Sequence, residues 1–151
     1  MNAGIDTNIL AYAEGVNGLD RRRAALDVLR RLPTGTALLP VQALGELYNV
    51  LVRKAGQSPA HARARVLAWS ASYPTANTTG TALTAAIDLA ATHRLGIWDS
   101  LIISVAAENG CRLLLSEDLH DGFTWGGLTV LNPFAVPPSP LLDAILAGDP
   151  G

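Results

Sequence analysis

The segment Ala-Gly-Ile-Asp-Thr-Asn, residues 3–8, joins a short apolar run directly to a carboxylate and then to the start of a helical pattern. The run Ala3–Ile5 has the length of a buried strand bounded by a polar turn, and helical apolar spacing begins at Ile9. Asp6 is therefore predicted to stand at the carboxyl end of the first strand, where a helix begins.

Predicted strands and helices alternate along the rest of the chain. Further strands are predicted at Ala37–Leu39, Leu113–Leu115 and Leu128–Leu131, with a weaker candidate at Thr75–Thr78. Helices are predicted at Asp20–Leu32, Val41–Lys54, Ser58–Ser72, Thr81–Arg94 and Trp98–Glu108, with Gly96 expected to end the fourth of them. Strands that are apolar throughout and alternate with helices predict an α/β fold, with a mostly parallel sheet covered on both faces.

The length of 151 residues is typical of one domain that buries its own core. The single cysteine, Cys111, excludes an intramolecular disulfide and a zinc cluster built from cysteines. Proline becomes frequent after Pro133, so we expect residues 1–134 to form the domain. Residues 135–151 are expected to form a C-terminal tail, with a short helix at Leu141–Leu146.

Charge and hydropathy limit the classes of function. No apolar stretch approaches the roughly 18–20 residues of a membrane span, and Asp6 stands where a signal peptide would build its apolar region, so a cytoplasmic protein is expected. The formal net charge of −2 argues against a broad surface that holds nucleic acid by charge alone. The arginines within Arg21–Arg31 are interpreted as a solvated helix face in preference to an RNA or partner patch.

Four carboxylates are predicted to meet at one edge of the sheet. Asp118 follows the strand ending at Leu115, as Asp6 follows the first strand, and open α/β sheets bind ligands at the carboxyl ends of their strands. Glu46 lies on the polar stripe of the helix after the second strand. Asp99 opens a helix that is apolar nearly all round and therefore begins near the interior.

Each of these acids has an ordinary structural explanation when it is taken alone. Aspartate is favoured at helix and turn caps, and Glu46 is equally explained as a solvated residue paired with Arg53. Together, however, four acids at one edge would raise one another's pKa unless a cation neutralised them. An all-oxygen set suits Mg²⁺ or Mn²⁺ better than zinc. Such an ion lowers the pKa of bound water, which indicates hydrolysis of a phosphodiester.

The same residues resemble the motifs of PIN-domain nucleases. Their order and approximate spacing match that family over about Asn2–Phe134, in four motifs: Asp6-Thr7-Asn8, Glu46 with Leu47 and Asn49, Trp98-Asp99-Ser100, and Ser116-Glu117-Asp118. Within that family, the chain closely resembles toxins of VapC type.

The resemblance implies a three-layer α/β/α sandwich, a PIN-like nuclease domain over residues 1–134, and a homodimer. It also implies Mg²⁺- or Mn²⁺-dependent endonucleolytic cleavage of RNA and, in the toxin branch, inhibition by a small cognate antitoxin. The implied catalytic residues and metal ligands are Asp6, Glu46, Asp99 and Asp118. Polar neighbours are expected to hold the carboxylates or to contact RNA or the antitoxin: Thr7, Asn8, Asn49, Arg53 and Ser116. Ordinary turn and cap roles explain Thr7, Asn8 and Ser116 equally well.

The chain departs from the family pattern after the fourth motif. His120 occupies a position where many relatives have a second aspartate, and Asp121 comes one residue later. The family match selects Asp118 as the fourth acid. Glu117 is expected to point to the side opposite Asp118, because successive side chains of an extended segment alternate. Asp121 is interpreted as a local turn cap. Two alternatives stay open: a non-catalytic PIN-like module that binds RNA or protein, and a structure-specific DNA nuclease.

Overall fold

The computed structural model describes residues 1–148. This part of the chain contains the strands β1 Asn2–Ile5, β2 Ala37–Pro40, β3 Thr75–Ala76, β4 Cys111–Leu115, β5 Thr124–Trp125 and β6 Leu128–Leu131. Its helices are α1 Thr7–Ala13, α2 Leu19–Arg31, α3 Val41–Arg53, α4 Pro59–Ser72, α5 Gly80–His93, α6 Ile97–Glu108 and α7 Pro140–Leu146. In this range, each helix is too short or too polar to cross a lipid bilayer.

The strands form one sheet in the order β3-β2-β1-β4-β6-β5. β1 pairs in parallel with β2 on one side and with β4 on the other, and parallel pairing continues to β3 and β6. The two-residue β5 runs antiparallel to β6 and has no counterpart among the predicted strands. The predicted mostly parallel sheet is confirmed, and its strand order reverses direction between β1 and β4.

Alternate residues of the central strands face two different layers of helices. One face of the sheet packs in a single core with α1, α2, α3, α4 and α7 and includes Ala3, Ile5, Leu39, Leu113 and Leu115. The other face packs chiefly against α5 and α6 and includes Leu38, Leu114 and Val130. Because both faces are covered, the predicted three-layer α/β/α sandwich is confirmed.

Gly4 explains how a strand with one bulky residue occupies the centre of this sheet. A Cβ added to Gly4 would stand 3.0 Å from Cβ of Ala106 and 3.2 Å from Cδ1 of Leu114. The missing side chain therefore lets α6 pack directly on β1. This close packing joins the helix that carries Asp99 to the strand that precedes Asp6.

The connection between α5 and α6 differs from the sequence prediction. α5 ends at His93, and its C-cap is Arg94, whose φ of 55° lies in the left-handed region. Gly96 instead precedes α6 as its N-cap. The prediction that Gly96 ends α5 was wrong because Arg94 adopts the conformation that more often requires glycine.

The C-terminal segment packs on the core. α7 begins after Ser139, whose hydroxyl accepts a hydrogen bond from the backbone N–H of Leu141 at 3.2 Å. Leu142 and Ile145 of this helix are buried in the same core cluster as β1. The division into a domain and a tail at residue 134 stays a prediction, and residues 149–151 of that tail lie outside the described residues.

Candidate functional site

A cavity of about 400 Å³ opens where β1 and β4 end. All four predicted acids line it, although they come from different parts of the chain: Asp6 directly follows β1, Glu46 lies in α3, Asp99 lies in the first turn of α6, and Asp118 follows β4. The other lining residues are Thr7, Asn8, Ala11, Tyr12, Val16, Asn17, Asn49, Val50 and Lys54. The fold thus brings together acids that the sequence separates widely.

Asp6 is the most buried of the four acids, with 4% of its surface exposed. Its Oδ1 accepts a hydrogen bond from the backbone N–H of Thr7 at 2.7 Å. Its Oδ2 accepts hydrogen bonds from Oγ of Ser116 at 2.7 Å and from Nδ2 of Asn8 at 3.2 Å. These donors fix the carboxylate at the junction of β1, α1 and the loop after β4.

The four acids are close enough to disfavour one another's charge. Burial raises the pKa of Asp6 to about 6; two hydrogen bonds oppose this rise, and the charges of Asp99 and Glu46 add to it. Burial also raises the pKa of Asp99, with further contributions from Glu46 and Asp118. A cation placed among these carboxylates would relieve the repulsion.

Glu46 is held from two directions. Its Oε2 accepts a hydrogen bond from Oγ1 of Thr7 at 2.7 Å, and its Oε1 accepts one from Nε2 of Gln42 at 3.4 Å. Arg53, the alternative partner of Glu46, instead donates through Nε to Oδ1 of Asn49 at 3.2 Å. The carboxylate of Glu46 is therefore bound by α1 and by its own helix.

Asn8 joins α1 to the loop that follows β4. Its Nδ2 donates to Oγ of Ser116 at 3.1 Å, and its Oδ1 accepts a hydrogen bond from the backbone N–H of Glu117 at 3.0 Å. Together with Thr7, these residues contact the carboxylates in the way a supporting shell does. Their part in binding a metal or RNA stays a prediction.

Glu117 belongs to a separate cluster beside the cavity. Its carboxylate accepts a hydrogen bond from Oη of Tyr12 at 2.9 Å and forms an ion pair with Arg21. The guanidinium of Arg21 also lies 5.5 Å from the ring centroid of Tyr12 and 5.6 Å from that of Phe134. The cluster anchors the loop after β4 to α1 and α2.

Asp118 and Asp121 have different surroundings. Asp118 is exposed and lines the cavity. The Oδ1 atom of Asp121 accepts a hydrogen bond from the backbone N–H of Asn132 at 2.9 Å, just beyond the end of β6. The position of Asp118 is that of a candidate ligand. Asp121 joins its loop to the segment after β6, so the prediction that it caps its own turn was wrong.

Three polar residues of the cavity were not selected from the sequence: Tyr12, Asn17 and Lys54. Helical periodicity favoured Arg53, which is exposed and bonded to Asn49. Lys54 is the C-cap of α3 and keeps a right-handed helical backbone conformation, so it lies one helical turn after Val50, which also lines the cavity. Two signals were available in the sequence: Lys54 is the only lysine of the chain, and it follows Glu46 by about two helical turns.

The donor set is chemically suited to a divalent cation. It consists of carboxylate oxygens, which are the ligands that Mg²⁺ and Mn²⁺ prefer, and burial, together with the repulsion between these acids, raises the pKa of Asp6 and Asp99. In residues 1–148, however, no three or more His, Cys, Asp or Glu side chains are arranged to hold a metal ion. The assignment of the four acids as metal ligands therefore stays a prediction.

Both the sequence and the fold match known proteins. The family model of the PIN domain matches residues 4–120. The solved structure of VapC20 from Mycobacterium tuberculosis, a sarcin–ricin loop cleaving toxin, is similar with a TM-score of 0.66 at 17% identity, over 78% of this chain and 90% of that chain. A toxin–antitoxin complex from Klebsiella pneumoniae gives a TM-score of 0.66 at 20% identity, over 89% of this chain and 100% of that chain.

FitAcB from Neisseria gonorrhoeae is also similar, with a TM-score of 0.54 at 16% identity, over 89% of this chain and 99% of that chain. A search of curated proteins found no match. At these identities the solved structures establish a likeness of fold. Because the family model extends over most of the sequence, the chain belongs to the PIN domain family.

Proposed function

We propose that this protein is a metal-dependent endoribonuclease that acts as the toxin of a toxin–antitoxin pair. The observation that carries the proposal is the cavity at the ends of β1 and β4, which four carboxylates line in a chain of the PIN family. The toxin role is supported by the likeness of the fold to VapC20 and to toxin–antitoxin complexes.

The proposed ligands of Mg²⁺ or Mn²⁺ are Asp6, Glu46, Asp99 and Asp118. When bound, such an ion lowers the pKa of a water molecule and stabilises charge on the phosphate, which provides for hydrolysis of the phosphodiester. Hydrogen bonds hold two of the carboxylates ready for this role, through Thr7 for Glu46 and through Ser116 and Asn8 for Asp6.

RNA is proposed to approach along α3, beside the acids. Asn49 lines the cavity, and Arg53 is exposed one turn further along the helix with its Nε bonded to Oδ1 of Asn49. The amide and the guanidinium are suitable donors to phosphate oxygens. We therefore propose these two residues as contacts to RNA or to the antitoxin.

A cognate antitoxin, a homodimer and a cytoplasmic location belong to the same proposal. Large apolar side chains are exposed at two places that such partners would cover. One lies on α3 and α4, with Tyr48 37% and Leu67 51% exposed; the other lies on α5 and α6, with Ile87 53% and Trp98 56% exposed.

Two experiments test the proposal. Expression of the chain without a partner is expected to halt growth by stopping translation, and Asp6→Asn is expected to remove this effect while the protein stays folded. Asp20→Asn, an exposed residue at the start of α2, is the matched control that retains toxicity. In vitro, end-mapped cleavage of RNA pools is expected with Mg²⁺ or Mn²⁺ and not with chelator.

Other outcomes distinguish the alternatives. Growth arrest that persists undiminished with folded Asp6→Asn contradicts the nuclease account of toxicity. RNA binding without cleavage under any metal supports the non-catalytic module. Cleavage of branched or flapped DNA in preference to RNA supports the structure-specific DNA nuclease.

A further inference from the structure

The acidic cavity continues into a second cavity of similar size. This second cavity has a volume of about 400 Å³ and is lined by Glu14, Gly15, Val16, Asn17, Lys54 and Ala55. Three of these residues, Val16, Asn17 and Lys54, also line the cavity of the four acids. The two cavities are therefore parts of one groove, and Lys54 stands at their junction.

Glu14 does not cancel the charge of Lys54, because its own charge is already compensated. The carboxylate accepts hydrogen bonds from Nε and Nη2 of Arg65 at 2.8 and 2.9 Å. It also accepts one from Nε1 of Trp69 at 3.0 Å, and its side chain is only 8% exposed. The ammonium group of Lys54 therefore sets the net charge of the second cavity, which is opposite to that of the first.

The aliphatic stem of a second basic residue, Arg22, lies near Gly15 of this cavity. The Cδ atom of Arg22 stands 4.0 Å from the position that a Cβ on Gly15 would occupy, so the arginine stem passes over the loop between α1 and α2. One end of the groove thus combines a lysine, a neighbouring arginine and the amide of Asn17, whereas the other end holds the carboxylates.

We propose that the second cavity binds a phosphate group of the RNA strand adjacent to the phosphate that is cleaved, with Lys54 as the cation and Asn17 as a neutral donor. The inference rests on the proposed nuclease function and names a substrate subsite for it. Grooves that bind single strands follow the backbone with basic side chains, and the flexible ammonium of lysine binds phosphate as a point charge. Contact with the backbone positions the strand without reading its sequence.

The subsite also resolves an electrostatic difficulty of the acidic cavity. RNA is a polyanion, and four carboxylates repel it wherever their charge is not neutralised. A cation inside the acid cluster would compete with the metal ion for the same carboxylates. A cation at the junction instead attracts the neighbouring phosphate and leaves the carboxylates free for the metal.

The test compares Lys54→Gln with Lys54→Arg in steady-state cleavage with Mg²⁺. The probe is an RNA oligonucleotide carrying the strongest cleavage site mapped from a random single-stranded pool. Lys54→Gln is expected to raise KM by about three- to tenfold with kcat nearly unchanged, and to flatten the dependence of log KM on log salt by about 0.7. Lys54→Arg should keep KM close to that of the wild type. Arg30→Gln, an exposed residue lining a different cavity near Pro33, is the matched control and should behave as wild type.

A second measurement locates the contact on the strand. The same oligonucleotide is prepared with one neutral methylphosphonate at each position around the cleavage site. In the wild type, one flanking position is expected to raise KM, and Lys54→Gln is expected to lose that sensitivity while other positions keep theirs. An unchanged KM, salt slope and methylphosphonate pattern in Lys54→Gln overturns the subsite and leaves the nuclease proposal standing.

Failure of the proposed function gives a different result. A wild-type protein that neither cleaves nor binds the RNA overturns both proposals together. If the wild type binds the RNA without cleaving it, the nuclease proposal fails. The dissociation constant and its salt slope then replace KM in the comparison of Lys54→Gln with Arg30→Gln, and equal values overturn the subsite.

Discussion

At the scale of single residues, Asp6 has to satisfy two opposing demands. It is buried at the junction of β1 and α1, yet its proposed role requires a negative charge. Its three hydrogen-bond donors, Thr7, Asn8 and Ser116, compensate for part of the burial, and the neighbouring acids oppose them. The metal-free protein therefore bears an electrostatic cost that depends on pH.

We predict that the stabilising effect of protonated Asp6 is lost as the pH rises from about 4 to about 6. The pKa of Asp6 is raised from an ordinary 3.8 to about 6, so between these values the folded state holds a proton that the unfolded state has released. The stability that protonated Asp6 contributes is fully present below the unfolded pKa of 3.8 and is lost as the pH rises through the folded pKa of about 6. The loss is at most about 3 kcal/mol.

Urea unfolding of the wild type and of Asp6→Asn at pH 4 and pH 7, with chelator, measures this effect. As the pH rises, the free energy of unfolding of the wild type should fall relative to that of Asp6→Asn. Addition of Mg²⁺ at pH 7 should then stabilise the wild type more than the variant. A difference that is equal at both pH values would contradict the prediction.

The acids after β4 give a second prediction at this scale. We expect Asp118→Asn to reduce metal-dependent cleavage by about 100-fold or more, as loss of a charge-stabilising group commonly does. Asp121→Asn should keep most activity, because an asparagine Oδ1 still accepts the hydrogen bond from the backbone of Asn132.

Calorimetric titration with metal tests these variants separately from cleavage. Loss of a ligand in Asp118→Asn should weaken metal affinity, whereas Asp121→Asn, which keeps its hydrogen bond, should leave metal affinity near that of the wild type. The assignment of the fourth carboxylate is wrong if Asp121→Asn abolishes metal binding while Asp118→Asn stays near wild type in binding and cleavage.

At the scale of elements, the contact between β1 and α6 determines how two of the acids approach each other. Gly4→Ala is expected to lower the free energy of unfolding by about 1–3 kcal/mol, since its Cβ would meet Ala106 at 3.0 Å in a packed core. Cleavage activity should also fall, because α6 would have to move and it carries Asp99.

Gly45→Ala provides the matched control for this prediction. Gly45 lies in α3, is exposed, and has nothing within 4 Å of an added Cβ. The substitution should raise stability by about 0.5–1 kcal/mol through helix propensity. Equal unfolding midpoints of Gly4→Ala and the wild type in urea would show that α6 does not pack this closely on β1.

At the scale of the whole molecule, the exposed apolar side chains predict assembly. The purified chain is expected to be a homodimer by light scattering and to form a larger complex when it is expressed with its native operon partner. Amide hydrogen exchange should be slower in α3 and α4, or in α5 and α6, when the dimer or the complex with the partner covers that pair of helices. A protein that is only monomeric and has no co-purifying partner would contradict this prediction.

Local sequence patterns determined most of the fold. Short apolar runs bounded by turn residues indicate buried strands, and a period of 3.6 residues indicates helices. Both patterns are properties of neighbouring residues, so β1, β2, β4 and β6 were predicted close to their observed ends. The two-residue β5 is too short to produce such a pattern. The rule that parallel strands share their carboxyl edge then placed Asp6 beside Asp118 without any coordinates.

Tertiary structure decided which side chains share the groove, because contacts between distant residues depend on packing and not on spacing. The polar stripe through Asn49 favoured Arg53, but the basic residue that lines the cavity is its neighbour Lys54 at the end of α3. The pairing of Glu14 with Arg65, which leaves Lys54 to set the charge of the second cavity, joins α4 to the end of α1 across many residues of sequence. The sequence by itself therefore determined the acidic edge of the sheet, while the tertiary fold alone determined the charge of the groove that leads to it.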